Sequence, residues 1–266
     1  MTQIPQTIGD ISWSHSALDT ADKCLRTYYE QRVAKTAKQE ETGALRKGNA
    51  IHLAIENHLG RGVPFESMGL PGEHLRELQG FQWALEKYGT IMEQGEVEIE
   101  GACGIDAQGQ PCGFWDKHFW GRGKLDMQIK LPAQQTVFVV DWKTGKVWPS
   151  LDQAQRYAAF VFAANPWCQK VVIQFAYVTA NSLAPAYVFW RDDACEDRRT
   201  FLAALPPHAA QDFLANRTTP YDNLLDKTKL VLHKVLTSYQ SGIWPESKNV
   251  GCRWCPVENC ETRSRR

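Results

Sequence analysis

The stretch VFVVDWKTGK, Val137 to Lys146, constrains the fold more than any other segment of the chain. Four apolar residues run without a polar break and then meet an acid, a tryptophan and a lysine. An apolar run without a break that ends on turn residues reads as a buried strand. Side chains alternate along a strand, so Asp141 and Lys143 share one face and Trp142 points to the other. Taken alone, Asp-x-Lys at a strand end is more often a solvated turn. The neighbouring segments decide between that and a site.

A chain of 266 residues, 43% hydrophobic and 11% aromatic, can bury one substantial core or a core with an appended lobe. Thirty basic and thirty acidic residues cancel, so any polyanion site must be a local groove. The opening MTQIPQTIGDISWSHS lacks a basic segment followed by an apolar one, and nowhere do eighteen apolar residues run together. Neither secretion nor membrane spanning is expected, and the cytoplasm is the expected compartment. Under reducing conditions the eight cysteines read as metal ligands where they cluster and as small core residues where they are scattered.

Helical spacing of apolar residues predicts one helix across SWSHSALDTADKCLRTYYEQRV. A second is predicted in ALRKGNAIHLAIENHLG, stopped by Gly60, and a third in PGEHLRELQGFQWALEKYG. From Gly95 the texture changes to EVEIEGACGID, then GQPCGFWDKHFWGRGKLDMQIKL, then TVFVVDWKTG, a pattern that predicts an antiparallel meander. SLDQAQRYAAFVFAAN returns to helix, VVIQFAYVTA and APAYVFWR to strand, and DDACEDRRTFLAALPPHAA through LVLHKVLTSYQSG to helix. With no repeat or linker, one α/β domain over 1–266 is expected, its core at about 45–190 and its ends, 1–35 and 195–266, forming a helical lobe.

Fifteen residues before Asp141, GRGKLDMQI places Asp126 inside a strand, with Gly123 available for a tight turn. If the two strands pair as a hairpin, two carboxylates and an ammonium converge. That set suits hard Mg²⁺ or Mn²⁺, because like-charged acids tolerate one another with a cation between them.

G-x-x-D, an apolar strand, D-W-K-T-G and then Q-x-x-x-Y in DQAQRYAAF together resemble the core motifs of the PD-(D/E)XK nuclease superfamily, specifically its RecB-like branch. The likeness is close from Gly123 to Tyr157 and looser elsewhere. It implies a restriction-endonuclease-like central mixed sheet flanked by helices. It also implies Asp126 and Asp141 as metal ligands, Lys143 as the catalytic lysine, Gln153 and Tyr157 as a helical pair beside them, and the Trp142 carbonyl facing the metal. No proline precedes Asp126, unlike the pattern in the superfamily's name. A histidine following a glycine one helix earlier, as in GNAIHLAIE, makes His52 a further metal ligand by the same likeness, with Gly48 allowing close packing and Glu56 orienting the imidazole. The likeness further implies a glutamate on the first strand of the meander; in EVEIE alternation puts Glu96, Glu98 and Glu100 on one face, and Glu100 or Glu98 is the one to approach the metal.

The implied activity is metal-dependent DNA hydrolysis, by an exonuclease acting on DNA ends or single strands, as in CRISPR-adaptation and in phage or repair exonucleases. The alternative is an inactive DNA-binding subunit of the same fold, which has no chemical need for the intact Asp126, Asp141 and Lys143. A metal-stapled interaction module would leave those acids idle. Arg122, Lys124, Lys146 and Trp148 are candidates for a strand-tracking groove, and RSRR at 263–266 for phosphate contacts. A replication or recombination protein is an expected partner.

GCRWCPVENC supplies Cys252, Cys255 and Cys260, a compact chelating run that needs a fourth ligand. Cys103, Cys112, Cys168 and Cys195 read as small buried residues. In iron-sulfur RecB-like nucleases a lone N-terminal cysteine completes the set, and Cys24 stands in that place. The resemblance therefore implies a 4Fe-4S cluster on Cys24, Cys252, Cys255 and Cys260, stapling the helical N- and C-terminal segments. The last spacing is four residues where the family more often has five, which keeps Zn²⁺ on the same thiolates as the alternative.

Overall fold

The computed structural model describes residues 4–38 and 41–264. In chain order the helices are α1 (His15–Lys23), α2 (Leu25–Tyr28), α3 (Gly43–Arg61), α4 (Leu75–Met92), α5 (Leu151–Ala164), α6 (Glu196–Ala203), α7 (Pro207–Asn216), α8 (Asp226–Ser241) and α9 (Glu261–Ser264). The strands are β1 (Glu96–Ile105), β2 (Pro111–Cys112), β3 (Gly121–Leu131), β4 (Thr136–Lys143), β5 (Lys170–Tyr177), β6 (Ser182–Leu183) and β7 (Tyr187–Trp190). They make a seven-stranded mixed sheet in the order β2-β1-β3-β4-β5-β6, with β7 also on β5.

The unbroken apolar run is the inner strand β4, where Val137, Val139 and Val140 have no exposed surface. Strand β3 lies antiparallel beside it, from Met127 opposite Val140 to Leu131 opposite Thr136. The two join through a 3₁₀ turn at Pro132–Gln134, closed by Gln135 at φ 48°. On its other side β4 pairs in parallel with β5, from Thr136 opposite Lys170 to Lys143 opposite Tyr177. A parallel pair needs a long crossover, and α5 provides it. The expected β3–β4 hairpin forms, but Gly123 lies within β3 and not at a turn.

Each face of β4 has its own cover. Val140 and Trp142 face a cluster with Ile51 and Ile55 of α3 and Phe81 and Tyr88 of α4, while Asp141 faces Gln153 and Tyr157 of α5. Phe81 meets the Trp142 ring edge-on at 4.9 Å. Helix α3 starts at Thr42, whose hydroxyl accepts from Leu45 N–H at 3.2 Å, and ends at Gly62 with φ 67°. The stop is thus Gly62 and not Gly60, because Gly62 takes the left-handed conformation that closes the last turn. Ser150 caps α5 by accepting from Gln153 N–H at 3.2 Å.

The chain divides into two compact units. One holds residues 42–103 and 124–224; the other holds 1–41, 104–123 and 225–266. In the latter, the predicted N-terminal helix is broken. Cys24 is extended, at φ −164° and ψ 113°, between α1 and α2. A helix break frees backbone groups that must find partners. Here the Lys23 carbonyl accepts from Asn249 Nδ2 at 3.1 Å, and Arg26 N–H donates to the Pro245 carbonyl at 3.1 Å. Those contacts substitute for the missing helical turn. Among the described residues no helix is long and apolar enough to cross a membrane.

Gly80 in α4 shows how tightly the helix layer is set. A Cβ there would stand 1.8 Å from the Val178 carbonyl oxygen, a backbone atom that cannot swing away. Alanine is intrinsically favoured over glycine in a helix by about 1 kcal/mol, but overpacking against fixed backbone costs about 3 kcal/mol. Packing wins. Gly80→Ala is expected to lower stability by about 2 kcal/mol net, read as a left-shifted urea midpoint with an unchanged slope.

Candidate active site

Asp141 and Lys143 end β4 on the side where α5 packs. The Asp141 carboxylate is buried, and its Oδ1 accepts from Tyr157 Oη at 2.8 Å and from Gln153 Nε2 at 3.1 Å. Gln153 Nε2 also donates to Tyr157 Oη at 2.7 Å, so the two α5 residues, four apart on one face, form one unit around the acid. Asp141 Oδ2 lies 2.6 Å from Lys143 Nζ but outside hydrogen-bonding direction, leaving a buried oxygen with a charge beside it and no hydrogen bond. Lys143 Nζ donates to Gln153 Oε1 at 3.2 Å and lies over the Phe175 ring at 5.3 Å.

Burial pushes the Asp141 carboxyl up, the charge of Asp126 adds to that, and Lys143 opposes it. Burial and the same two acids hold the Tyr157 hydroxyl well above its usual range, which keeps it protonated and able to donate.

Asp126 reaches the site from β3. Its Oδ2 accepts from the backbone N–H of Trp142 at 2.8 Å, just past the last paired residues of the β3–β4 ladder. Trp142 therefore presents its main chain to the acid, while its indole lies in the core. His52 Nδ1 stands 3.5 Å from the same Asp126 oxygen. Burial lowers the His52 pKa, but the hydrogen bond and charge of Asp126 outweigh it and leave it raised.

Glu100 completes the group by an unusual route. It sits in β1 at φ 53°, a left-handed conformation that costs a non-glycine residue about 1–3 kcal/mol. This breaks the alternation expected of EVEIE, so the three glutamates do not behave alike. Glu98 pairs with Lys130 at 2.7 Å and Glu96 lies 3.9 Å from the same amine. Glu100 instead brings an oxygen into a group with His52 and Asp126 whose donor atoms all lie within 4.8 Å of one another. Burial and then Asp126 raise its pKa, with Glu56 adding to the repulsion. Glu56 thus acts on Glu100 in this arrangement.

Three donors of imidazole and carboxylate type within 4.8 Å, with an unsatisfied buried oxygen on neighbouring Asp141, fit a hard or borderline divalent cation. The raised acids point the same way, since a cation is what relieves crowded negative charge.

Around this group, Gly48 of α3 faces the loop after β4: a Cβ there would lie 3.2 Å from Thr144 Oγ1. Lys124 is 3.6 Å from Glu100, whereas Lys146 and Trp148 are exposed. In the other unit, Arg122 is enclosed by Phe114, Trp115 and Phe119, its guanidinium 4.3–5.3 Å from their ring centres. Residues 265 and 266 of RSRR lie outside the described residues. Sequence reasoning missed Tyr177, whose hydroxyl accepts from Trp148 N–H at 2.9 Å; nothing in VVIQFAYVTA distinguishes it from a packing tyrosine.

Cys24, Cys252, Cys255 and Cys260 line one cavity of about 270 Å³, and none is in a disulfide. Cys24, Cys252 and Cys260 are buried and Cys255 half-buried. Asn249 N–H donates to Cys252 Sγ at 3.3 Å, and Thr27 Oγ1 lies 3.4 Å from Cys255 Sγ. Among the described residues, no three cysteine sulfurs lie within 4.8 Å of one another. Of the scattered cysteines only Cys168 is buried; Cys103, Cys112 and Cys195 are half-buried.

A strand-borne acid and lysine, a second acid on the adjoining hairpin strand and a glutamine-tyrosine pair on the crossover helix thus meet in one place. Residues 12–260 match the PD-(D/E)XK nuclease superfamily, and the chain belongs to it. No curated protein matches the chain.

His52→Ala removes the one nitrogen donor of the three-residue group. The expected result is weaker Mn²⁺ binding by calorimetry, with Mg²⁺ binding less affected, because imidazole favours Mn²⁺ over Mg²⁺. Unchanged titrations for both ions would take His52 out of the metal shell.

Proposed function

We propose that the chain is a Mg²⁺- or Mn²⁺-dependent deoxyribonuclease of the RecB-like branch, a single nuclease domain acting as an exonuclease on DNA ends or single strands in replication, recombination or repair. The observation that carries this reading is the meeting of His52, Glu100 and Asp126 within 4.8 Å, beside the Asp141–Lys143 pair. Lys143 is kept at the site by three neighbours, which a retired centre has no need to retain.

His52, Glu100, Asp126, Asp141 and the Trp142 carbonyl would hold the cation. The N–H and C=O of one residue in an extended strand point the same way, so the Trp142 carbonyl is directed to the side on which its N–H meets Asp126. When bound, the cation acidifies a water and offsets charge on the scissile phosphate. Lys143 orients that water or neutralises an oxygen of the phosphorane-like transition state. Gln153 and Tyr157 fix Asp141 Oδ1, so its other oxygen, beside Lys143 Nζ, is the one left for the cation. Substrate DNA reaches the site alone or through a replication or recombination partner.

End-labelled single-stranded, duplex and circular DNA incubated with Mg²⁺ or Mn²⁺ tests this. Linear substrates should lose label from one end while circles survive; cut circles would mean an endonuclease. Lys143→Ala should slow cleavage by about 10²–10³-fold with metal and DNA binding retained. A lysine variant cutting at the wild-type rate sinks the assignment.

We propose further that Cys24, Cys252, Cys255 and Cys260 hold a 4Fe-4S cluster with a structural role. Their shared cavity supports this. Tetrahedral zinc on the same four thiolates is the alternative. Anaerobically purified protein should be brown, carry iron and sulfide, and lose colour on Cys24→Ala. Colourless protein with one zinc would establish the zinc alternative.

A further inference from the structure

The loop between β4 and α5, residues 144–149, is fastened at both ends and bare in the middle. At its start the Thr144 carbonyl accepts from Thr179 Oγ1 at 2.9 Å. Near its end Trp148 N–H donates to Tyr177 Oη at 2.9 Å. Tyr177 is buried and stands opposite Lys143 in the β4–β5 register, so the loop is tied to the residue paired with the lysine. Between the ties Lys146 is exposed, Val147 is 48% exposed and Trp148 is 83% exposed. The backbone of Trp148 is fixed, yet its indole lies almost wholly in water.

We propose that Trp148 stacks on an unpaired base of the DNA strand entering the site, with Lys146 against that strand's backbone. This rests on the nuclease reading above and adds the substrate's form to it. An indole face accepts any base, so the contact carries no sequence preference. Lysine supplies the matching charge for a phosphate. Anchoring at Thr144 and Trp148 reduces the backbone freedom that remains to be lost on binding. Bases inside a duplex have both faces covered by their neighbours, and only an unpaired or terminal base can take the indole. The substrate class is therefore a single strand or a frayed end. A protein partner with an apolar pocket would also accept a tryptophan. However, this loop joins the strand bearing Lys143 directly to the helix bearing Gln153, and a partner seated there would cover the site.

The test is anisotropy of fluorescein-labelled dT20, with Ca²⁺ replacing Mg²⁺, on full-length wild type, Trp148→Ala and Trp148→Phe. Trp148→Ala should bind about tenfold more weakly, and Trp148→Phe should recover most of that loss. Oligonucleotides carrying one abasic site, moved stepwise along the strand, should reveal one position that costs wild type about as much as the alanine change. The alanine variant should be indifferent to that position. Wild-type affinity in Trp148→Ala, or an abasic penalty that persists in it, overturns the proposal, as does a variant altered only in sedimentation. Because the indole is exposed, unfolding temperature should not move, and a large drop would mark a structural role instead. If wild type cuts DNA and the variant binds normally, this proposal alone fails. If wild type neither binds nor cuts DNA with Mg²⁺ or Mn²⁺, the nuclease reading fails with it.

Discussion

Everything at the site depends on the burial of β4 on both faces. A strand with an antiparallel neighbour on one edge and a parallel neighbour on the other has no free backbone until it runs past one of its partners. That happens at the Asp141–Trp142 step, where the ladder to β3 ends and the Trp142 N–H takes the Asp126 carboxylate instead. The parallel partner also imposes the α5 crossover, and with it Gln153 and Tyr157 on Asp141. A single topological choice thus delivers two acids, a lysine and their supports to one place.

Stability is given up to complete the group. Glu100 is held at φ 53° inside a strand, and Asp141 keeps a buried oxygen without a hydrogen bond. Backbone strain and an unsatisfied acceptor each cost of the order of 1–3 kcal/mol. A cation shared by the three carboxylates would offset the crowding of their charge, while the strain at Glu100 is the cost of bringing its oxygen into the group.

Much of this was legible in the sequence, for identifiable reasons. Val137 to Lys143 combined a period-two pattern with an apolar run, and both leave a direct imprint on composition, so β4 and the shared face of Asp141 and Lys143 could be read off. Gln153 and Tyr157 came with the family likeness of Q-x-x-x-Y, a spacing that puts both on one helix face. Glu100 could not be separated from Glu98, because strand alternation treats them alike and only a left-handed residue tells them apart. The break at Cys24 was equally hidden. Its local spacing favours helix, and the contacts that pay for the interruption come from Pro245 and Asn249, more than two hundred residues away. Helix α3 overran Gly60 because a glycine ends a helix only where it can take the left-handed turn, which here is Gly62.

The unit containing the cysteine cavity is assembled from three stretches of chain, 1–41, 104–123 and 225–266. Contacts so distant in sequence carry a large loop-closure cost and form slowly. During synthesis the first stretch leaves the ribosome long before its partners at 225–266 exist, while most of the other unit, 42–103 and 124–224, is already available to fold. The helix break at Cys24 makes this delay sharper, since the groups that satisfy Lys23 and Arg26 are among the last residues made. Ordering of the chain around Cys24 therefore waits for residues 245–249, whereas the stretch before it can already meet Trp120 and Gly121.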